Sequence, residues 1–280
     1  MSRLIAFGCS NTYGHGLPDC FIPPLNPGPL PSKYAWPQLI ADQLGLKCIN
    51  LSSPGSSNKK IWHNIINFKF KDGDIVFILW SLSQRYSFYE NKKTVFDIGN
   101  WMIESDPKSK SYYRYLYSKY DSELQSKLFV NHTNLYLKEK KIKVYNMIIE
   151  KEERSILSIS NIRQNHIPIY ISDNYLHFYP KALDNTHPGV EAHLAFAKDI
   201  LSYLDIKNTI SVPIQKRFCL IERTDLLTTR YYDAIVRFMT EEDIELYKDT
   251  LYAVMWFIAM NWMAVLSIFF VVLYHFEIFN

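Results

Sequence analysis

Short apolar runs alternate with segments of helical periodicity along the first 205 residues of the chain. Most of these runs are continuously apolar, a pattern typical of strands that helices cover on both faces. Helical periodicity is clear at 36–44 and at 190–204. The predicted strands are 4–7, 47–51, 75–80, 142–149 and 167–171. This alternation predicts a three-layer α/β/α domain, residues 1–208, with a parallel five-stranded sheet.

Residues 86–141 are too numerous for a simple connection between two strands. They include the tyrosine-rich stretch 112–117 and several helix-like patterns, which predict a helical insertion. Two interpretations stay open for this insertion. It overhangs the carboxyl edge of the sheet as a lid, or it only adds packing to the domain.

The chain changes character after residue 208. Residues 209–240 are a mixed polar segment that predicts a connector, and 241–276 predict a C-terminal helix with Thr240 as its N-cap. Positions 251–274 form a run of 24 residues without a charge. At ~1.5 Å per residue this run is long enough for the ~30 Å hydrocarbon core of a bilayer. We therefore expect a single transmembrane helix, with a fully buried core helix as the alternative.

The basic residues near the predicted span all precede it, and none follows it through Asn280. The positive-inside rule then predicts a single-pass, tail-anchored membrane protein with its N-terminal domain in the cytoplasm.

Composition narrows the classes of function. Hydrophobic residues make up 48% of the chain and charged residues 21%, which predicts a packed core and excludes global disorder. A formal net charge of +3 with scattered basic residues excludes a nucleic-acid binder. The four cysteines show no metal-ligand spacing, and we expect no metal and no other cofactor.

Three turns of small and polar residues follow predicted strands or precede a helix. The first is FGCSNTYGHG, with Ser10 just beyond the first strand. The second is SSPGSSN, with Gly55 beyond the second strand, and the third is DNTHPG, with Asp184 and His187 before the last helix. Open α/β sheets bind ligands beyond the carboxyl ends of their strands, so we expect these turns to lie together.

These residue types suit acyl transfer. A histidine whose second ring nitrogen is fixed by a carboxylate can take the proton of a serine hydroxyl, which predicts Ser10, His187 and Asp184 as a catalytic triad. Gly55 allows its backbone N–H to approach an oxyanion closely, beside the N–H of Ser10.

The chain resembles the SGNH (GDSL-like) hydrolases over about residues 3–205. Gly8-Cys9-Ser10 is similar to their nucleophile block, and Gly55 is similar to the glycine of their second block. Asp184-x-x-His187-Pro188, followed by His193 and Ala197, is similar to their last block. The resemblance implies a flavodoxin-like α/β/α fold and metal-free hydrolysis or transfer of ester-linked acyl groups.

Two positions depart from the family pattern. Cys9 replaces the usual aspartate, and strand alternation predicts that it faces the core. The third block, ILWSLSQR at 78–85, lacks the asparagine that completes the family's oxyanion hole. Asn58 and Ser81 are the candidates for the missing donor, with Ser83 and Gln84 as further choices.

Two more residues are candidate substrate ligands. His15 follows the nucleophile turn and would line a substrate pocket. Arg85, just beyond the third strand, either binds a substrate carboxylate or phosphate or pairs with an acidic side chain.

The sequence therefore predicts a serine esterase that cleaves a small-molecule, glycan (carbohydrate O-acyl) or lipid ester. Two alternatives remain. One is an acyltransferase with the same triad. The other is a catalytically weak or inactive binding or structural protein that has kept the fold, which the missing asparagine favours.

Overall fold

The structure is a computed structural model that describes residues 2–23, 26–91, 94–157, 165–176 and 178–206. The predicted connector and the predicted membrane span at 251–274 lie outside these residues. None of the helices within the described residues has the length and apolar character needed to cross a bilayer.

The described residues form a central sheet, two short hairpins and helices between them. The strands are β1 (Arg3–Phe7), β2 (Phe21–Ile22), β3 (Asn26–Pro27), β4 (Lys47–Asn50), β5 (Ile75–Trp80), β6 (Tyr86–Tyr89), β7 (Val95–Ile98) and β8 (Lys143–Ile148). The helices are α1 (Ser10–Tyr13), α2 (Trp36–Gln43), α3 (Asn58–Ile66), α4 (Pro107–Tyr115), α5 (Lys119–Glu139), α6 (Ile171–Asn174) and α7 (Val190–Tyr203).

The central sheet has four strands in the order β4-β1-β5-β8, and each neighbouring pair is parallel. Alternate residues of the buried strands enter two separate apolar clusters. Leu4 packs in the cluster that contains residues of α2 and α7, whereas Ile5 packs in the cluster that contains residues of α3 and α5. The sheet is therefore covered by helices on both faces, and the prediction of three layers is confirmed.

The prediction of a fifth strand at 167–171 is wrong. The chain makes only an isolated parallel bridge to β8 there, between Asn146 and His166, beside a bond from the Ile167 N–H to the Asn146 carbonyl. Pro168 has no N–H to continue the ladder, and α6 begins at Ile171. The segment lies along the sheet edge without forming a strand.

The prediction of a helical insertion at about 86–141 is correct only in part, because the segment begins with two strands. β6 and β7 form an antiparallel hairpin in which Phe88 faces Phe96. Short runs of aromatic and β-branched residues, such as those of β6 and β7, favour strands. The helices α4 and α5 follow as expected, and the buried Val130 and Leu137 of α5 belong to the cluster shared with α3. Helix α5 is thus part of the packed domain.

Candidate active site

The Ser10 turn leaves the carboxyl end of β1 in the middle of the sheet. Ser10 is the first residue of α1 and is buried, with 5% of its surface exposed. Its backbone N–H lies in the first turn of a helix, where N–H groups have no intrahelical acceptor. Cys9 is fully buried in the apolar cluster beneath α2, so the prediction that it faces the core is confirmed.

The Gly55 turn lies beside the Ser10 turn because β4 is the parallel neighbour of β1. The Ser53 N–H donates to the Gly8 carbonyl at 3.3 Å, and the Asn50 side chain donates to the Thr12 carbonyl at 2.7 Å. Gly55 has a φ of +76°, a conformation that favours glycine. Among the described residues, no acceptor is hydrogen-bonded to its N–H.

Asp184 and His187 form a hydrogen-bonded pair. Asp184 Oδ1 accepts from the backbone N–H groups of Thr186 and His187, both at 3.0 Å, while Oδ2 contacts His187 Nδ1. The Asp184 side chain is 1% exposed and that of His187 is 22% exposed. Because Nδ1 faces the carboxylate, Nε2 is the ring nitrogen left to exchange a proton with another group.

The loop that carries this pair is fixed to the segment after Ser10. The Leu183 N–H donates to the Gly16 carbonyl at 2.9 Å, and the rings of His15 and His187 lie 4.6 Å apart. The His15 N–H in turn donates to the Ser10 carbonyl at 3.2 Å. The structure thus brings together two motifs that lie about 170 residues apart in the sequence.

The Ser10 hydroxyl does not hydrogen-bond to His187. Its single side-chain partner among the described residues is Cys9 Sγ, at 4.0 Å. In this conformation the Ser10 hydroxyl contacts Cys9 and not His187. Catalytic hydrogen bonds are often long or absent before substrate binds.

The charge of Asp184 is held by its hydrogen bonds. Burial alone raises the pKa of this carboxyl group, but the bond to the His187 ring, the charge of that ring and the two backbone N–H groups outweigh it. The pKa falls to about 2. Asp184 is consequently ionised at neutral pH.

His193 lies on α7 and is fully buried. Its Nδ1 accepts from the Trp36 N–H at 3.3 Å, so a neutral ring carries its proton on Nε2. Burial, with a smaller effect from the charge of His187, lowers the pKa of His193 to about 3. His193 is a neutral residue of the core and does not reach a substrate.

Asn58 does not suit the role of oxyanion donor. Its side-chain nitrogen donates to the Ser81 carbonyl at 3.0 Å and to Ser126 Oγ at 3.1 Å, and its oxygen accepts from the Ser81 N–H at 2.7 Å. Both amide hydrogens are used in this buried bridge between α3 and the end of β5. The same bridge occupies the Ser81 N–H, so the hydroxyl is the donor that Ser81 still offers.

His15, Asp184 and His187 offer one ligand atom each within 4.8 Å of one another. Two of these three groups, Asp184 and His187, are already hydrogen-bonded to each other. Of the predicted site residues, His15 thus lies against His187.

Two residues near the site were missed by the sequence analysis. Trp101, in the 3₁₀ turn after β7, lies against the Gly55 turn, and a Cβ atom added to Gly55 would be 3.6 Å from its ring. Gly16 lies against Asp184 and has a φ of +82°. The glycine-rich turn pointed to Gly16, but no local pattern connects Trp101 with Gly55.

We expect Gly16→Ala to lower ester turnover by about 100-fold, since a misplacement near 1 Å can cost that much. A Cβ at this position would lie 2.6 Å from Asp184 Cγ, so the carboxylate must shift and His187 with it. Steady-state kinetics on a 4-nitrophenyl ester would measure the loss.

Gly45→Ala is the matched control for this substitution. Gly45 also has a positive φ, +63°, but an added Cβ there meets no atom within 4 Å. Backbone strain is thus similar in the two variants and only one disturbs Asp184. Equal losses of turnover in both variants would contradict the argument.

No family model matches the chain, and no curated protein matches it. Solved structures do resemble it. An acetyl xylan esterase from the rumen bacterium Butyrivibrio proteoclasticus has a TM-score of 0.48 and 14% identity, over 72% of this chain and 63% of that one. The chain thus spans less than two thirds of that esterase.

Two smaller structures are covered almost completely. A lipolytic protein of the G-D-S-L family from Veillonella parvula has a TM-score of 0.35 and 12% identity, over 73% of this chain and 99% of that one. An esterase from a Pseudoalteromonas species has a TM-score of 0.41 and 10% identity, over 72% and 97%. The solved structures that the chain resembles thus include a G-D-S-L protein.

Proposed function

We propose that the protein is a serine esterase of the SGNH type that hydrolyses an O-acyl ester of a carbohydrate or a lipid. The observation that carries this proposal is the buried Asp184–His187 pair, fixed against the turn that bears Ser10. A buried carboxylate bonded to one ring nitrogen of a half-buried histidine has the arrangement that a general base requires.

In the proposed mechanism the Ser10 hydroxyl turns from Cys9 to His187 and attacks the ester carbonyl. His187 Nε2 takes the hydroxyl proton as the new C–O bond forms, and Asp184 stabilises the imidazolium. The tetrahedral intermediate then collapses, and His187 returns the proton to the departing alcohol. Water attacks the acyl-enzyme by the same steps in reverse order, which releases the acid and restores Ser10.

Two backbone groups support the developing oxyanion in this proposal. The Ser10 N–H lies at the start of α1, and the Gly55 N–H is without a protein acceptor among the described residues. Two converging backbone donors are the usual core of such a hole. With Asn58 engaged in its own bridge, a third donor must come from the Ser81 hydroxyl or from another group near β5.

A fluorophosphonate probe tests this proposal directly, because it labels only serines that are activated as nucleophiles. We expect stoichiometric phosphonylation of the native protein, mapped by mass spectrometry to the peptide that contains Ser10. The heat-denatured protein is the control and should not react. Label on another residue, or none on the native protein, would overturn the proposal.

A further inference from the structure

Trp101 lies beside the Gly55 turn, which bears a candidate oxyanion donor, and it is largely exposed to solvent. Its side chain is 53% exposed, although its ring lies against the Gly55 turn. An aromatic ring that is accessible to solvent beside a candidate site offers a flat face to a ligand.

The hairpin that precedes Trp101 is fixed to the Gly55 turn by polar contacts. Ser57 Oγ and Ser87 Oγ are 2.6 Å apart, and both residues are fully buried. Lys60 donates to Asp97 Oδ2 at 2.6 Å and to Ser53 Oγ at 3.3 Å. The position of Trp101 next to Gly55 is therefore set by a network between α3 and the β6–β7 hairpin.

Arg85 lies over the Trp101 ring, with its guanidinium carbon 4.7 Å from the ring centroid. Its Nη1 donates to Ser81 Oγ at 3.1 Å, whereas its Nε is buried and has no acceptor. Within the part of the chain that the structure describes, no carboxylate forms an ion pair with Arg85.

This arrangement distinguishes between the two roles that the sequence predicted for Arg85. Pairing with an acidic side chain does not occur among the described residues. What remains is a guanidinium with unused donors, oriented by an aromatic ring and placed near the end of β5. A guanidinium presents its donors in a planar fork that suits carboxylate and phosphate oxygens.

We propose that Arg85 and Trp101 form a subsite for an anionic group, a carboxylate or a phosphate, carried by the ester substrate. The inference rests on the proposed esterase function for its biological meaning, since the anion would be bound next to the scissile ester. The planar face of Trp101 would pack against the part of the substrate between that anion and the ester.

Ligand binding to the full 280-residue chain with Ser10→Ala tests the subsite without any need for turnover. Isothermal titration calorimetry would compare glucuronate with glucose, and glycerol 3-phosphate with glycerol, at one fixed ionic strength. We expect at least one anion to bind about tenfold or more tightly than its neutral partner, the effect of a charge-assisted hydrogen bond. The pair that shows the preference identifies a sugar acid or a phosphate ester as the substrate class.

Arg85→Met removes the charge and keeps the apolar stem on Trp101, so it should abolish the preference for the anion. Arg85→Lys keeps the charge but loses the planar pair of donors, so it should weaken the preference for the anion at least threefold. This variant replaces Arg85→Met as the test if the Met variant does not fold. The matched control is Arg114→Met, because Arg114 also lies over an aromatic ring, that of Tyr115, at 5.2 Å. This control should retain the preference in full.

Equal binding of charged and neutral ligands, no binding of either, or equal loss in the Arg85 and Arg114 variants would each overturn the inference. Other outcomes would disprove the esterase proposal and leave the subsite in place. If anion binding depends on Arg85 but fluorophosphonate does not label Ser10, the subsite stands and the function fails. If Ser10 is labelled and Arg85 has no effect on binding, the function stands and the subsite fails.

Discussion

Ser10→Ala is expected to lower kcat for 4-nitrophenyl acetate by about 10⁴- to 10⁶-fold, with little change in the melting temperature. The hydroxyl forms a single long contact to Cys9 Sγ, so its removal leaves no strong hydrogen bond unsatisfied. What is lost is the covalent route, and the remaining rate would come from the oxyanion donors and from binding alone. Steady-state kinetics on the purified wild-type protein and the variant measure the ratio of their kcat values.

Two variants make this result specific to Ser10. Ser202→Ala, on the exposed end of α7, controls for loss of a serine hydroxyl elsewhere and should keep full turnover. Cys9→Ala tests the neighbouring thiol as an alternative nucleophile. Because Cys9 is fully buried in the core, we expect this variant to keep its fluorophosphonate label on Ser10. Turnover that persists in Ser10→Ala and disappears in Cys9→Ala would reverse the assignment.

Asp184→Asn is expected to cost about 10⁴-fold in kcat while the protein stays folded. The amide is close in size to the carboxylate and can still accept the backbone bonds from Thr186 and His187. The neutral amide cannot stabilise the imidazolium. Its NH2 group would donate to His187 Nδ1, which favours the tautomer with its proton on Nε2, and that nitrogen then cannot accept the Ser10 proton. The matched control is Asp199→Asn, which removes a carboxylate that accepts from Tyr175 Oη.

The pH dependence of the wild-type rate gives a second test of Asp184. Its folded pKa, about 2, lies below the value of an unfolded aspartate. The charged form therefore contributes to stability above about pH 4, and that contribution disappears as the pH falls through 2. Asp184 should then impose no loss of activity between pH 4 and 9. An acidic limb with a midpoint near 4 that is absent from Asp184→Asn would contradict this assignment.

Elements that depend on local sequence patterns were predicted correctly more often than elements that depend on contacts between distant residues. Four of the five predicted strands form, because apolar runs are a local property of buried parallel strands, as Ile75–Trp80 illustrates. The segment at 167–171 looked similar, but Pro168 prevents a ladder that apolar character alone would allow. The hairpin was not predicted, because each of its strands has only four residues and two helices, α4 and α5, follow it in the same segment.

The candidate site shows the same division. Asp184 and His187 are three residues apart, so one tight loop fixes their bond, and this spacing together with the other two turns predicted the pair. Asn58 was assigned a role from its place in a turn, yet its partner is the backbone of Ser81, which follows another strand. A side chain with several possible partners cannot be assigned from the turn that carries it.

The sequence by itself determined that Ser10 and Gly55 lie just beyond two strands and that Asp184 and His187 share one loop before α7. Parallel strands in a sheet place such ends along one edge, whatever the details of packing. Only the tertiary structure decided what else meets them there. The segment around the β6–β7 hairpin puts Trp101 beside Gly55 and Arg85 over the Trp101 ring, and the loop after α1 puts His15 against His187. Such contacts join distant segments through packed cores and buried polar bonds, and these depend on three-dimensional complementarity that no local pattern encodes.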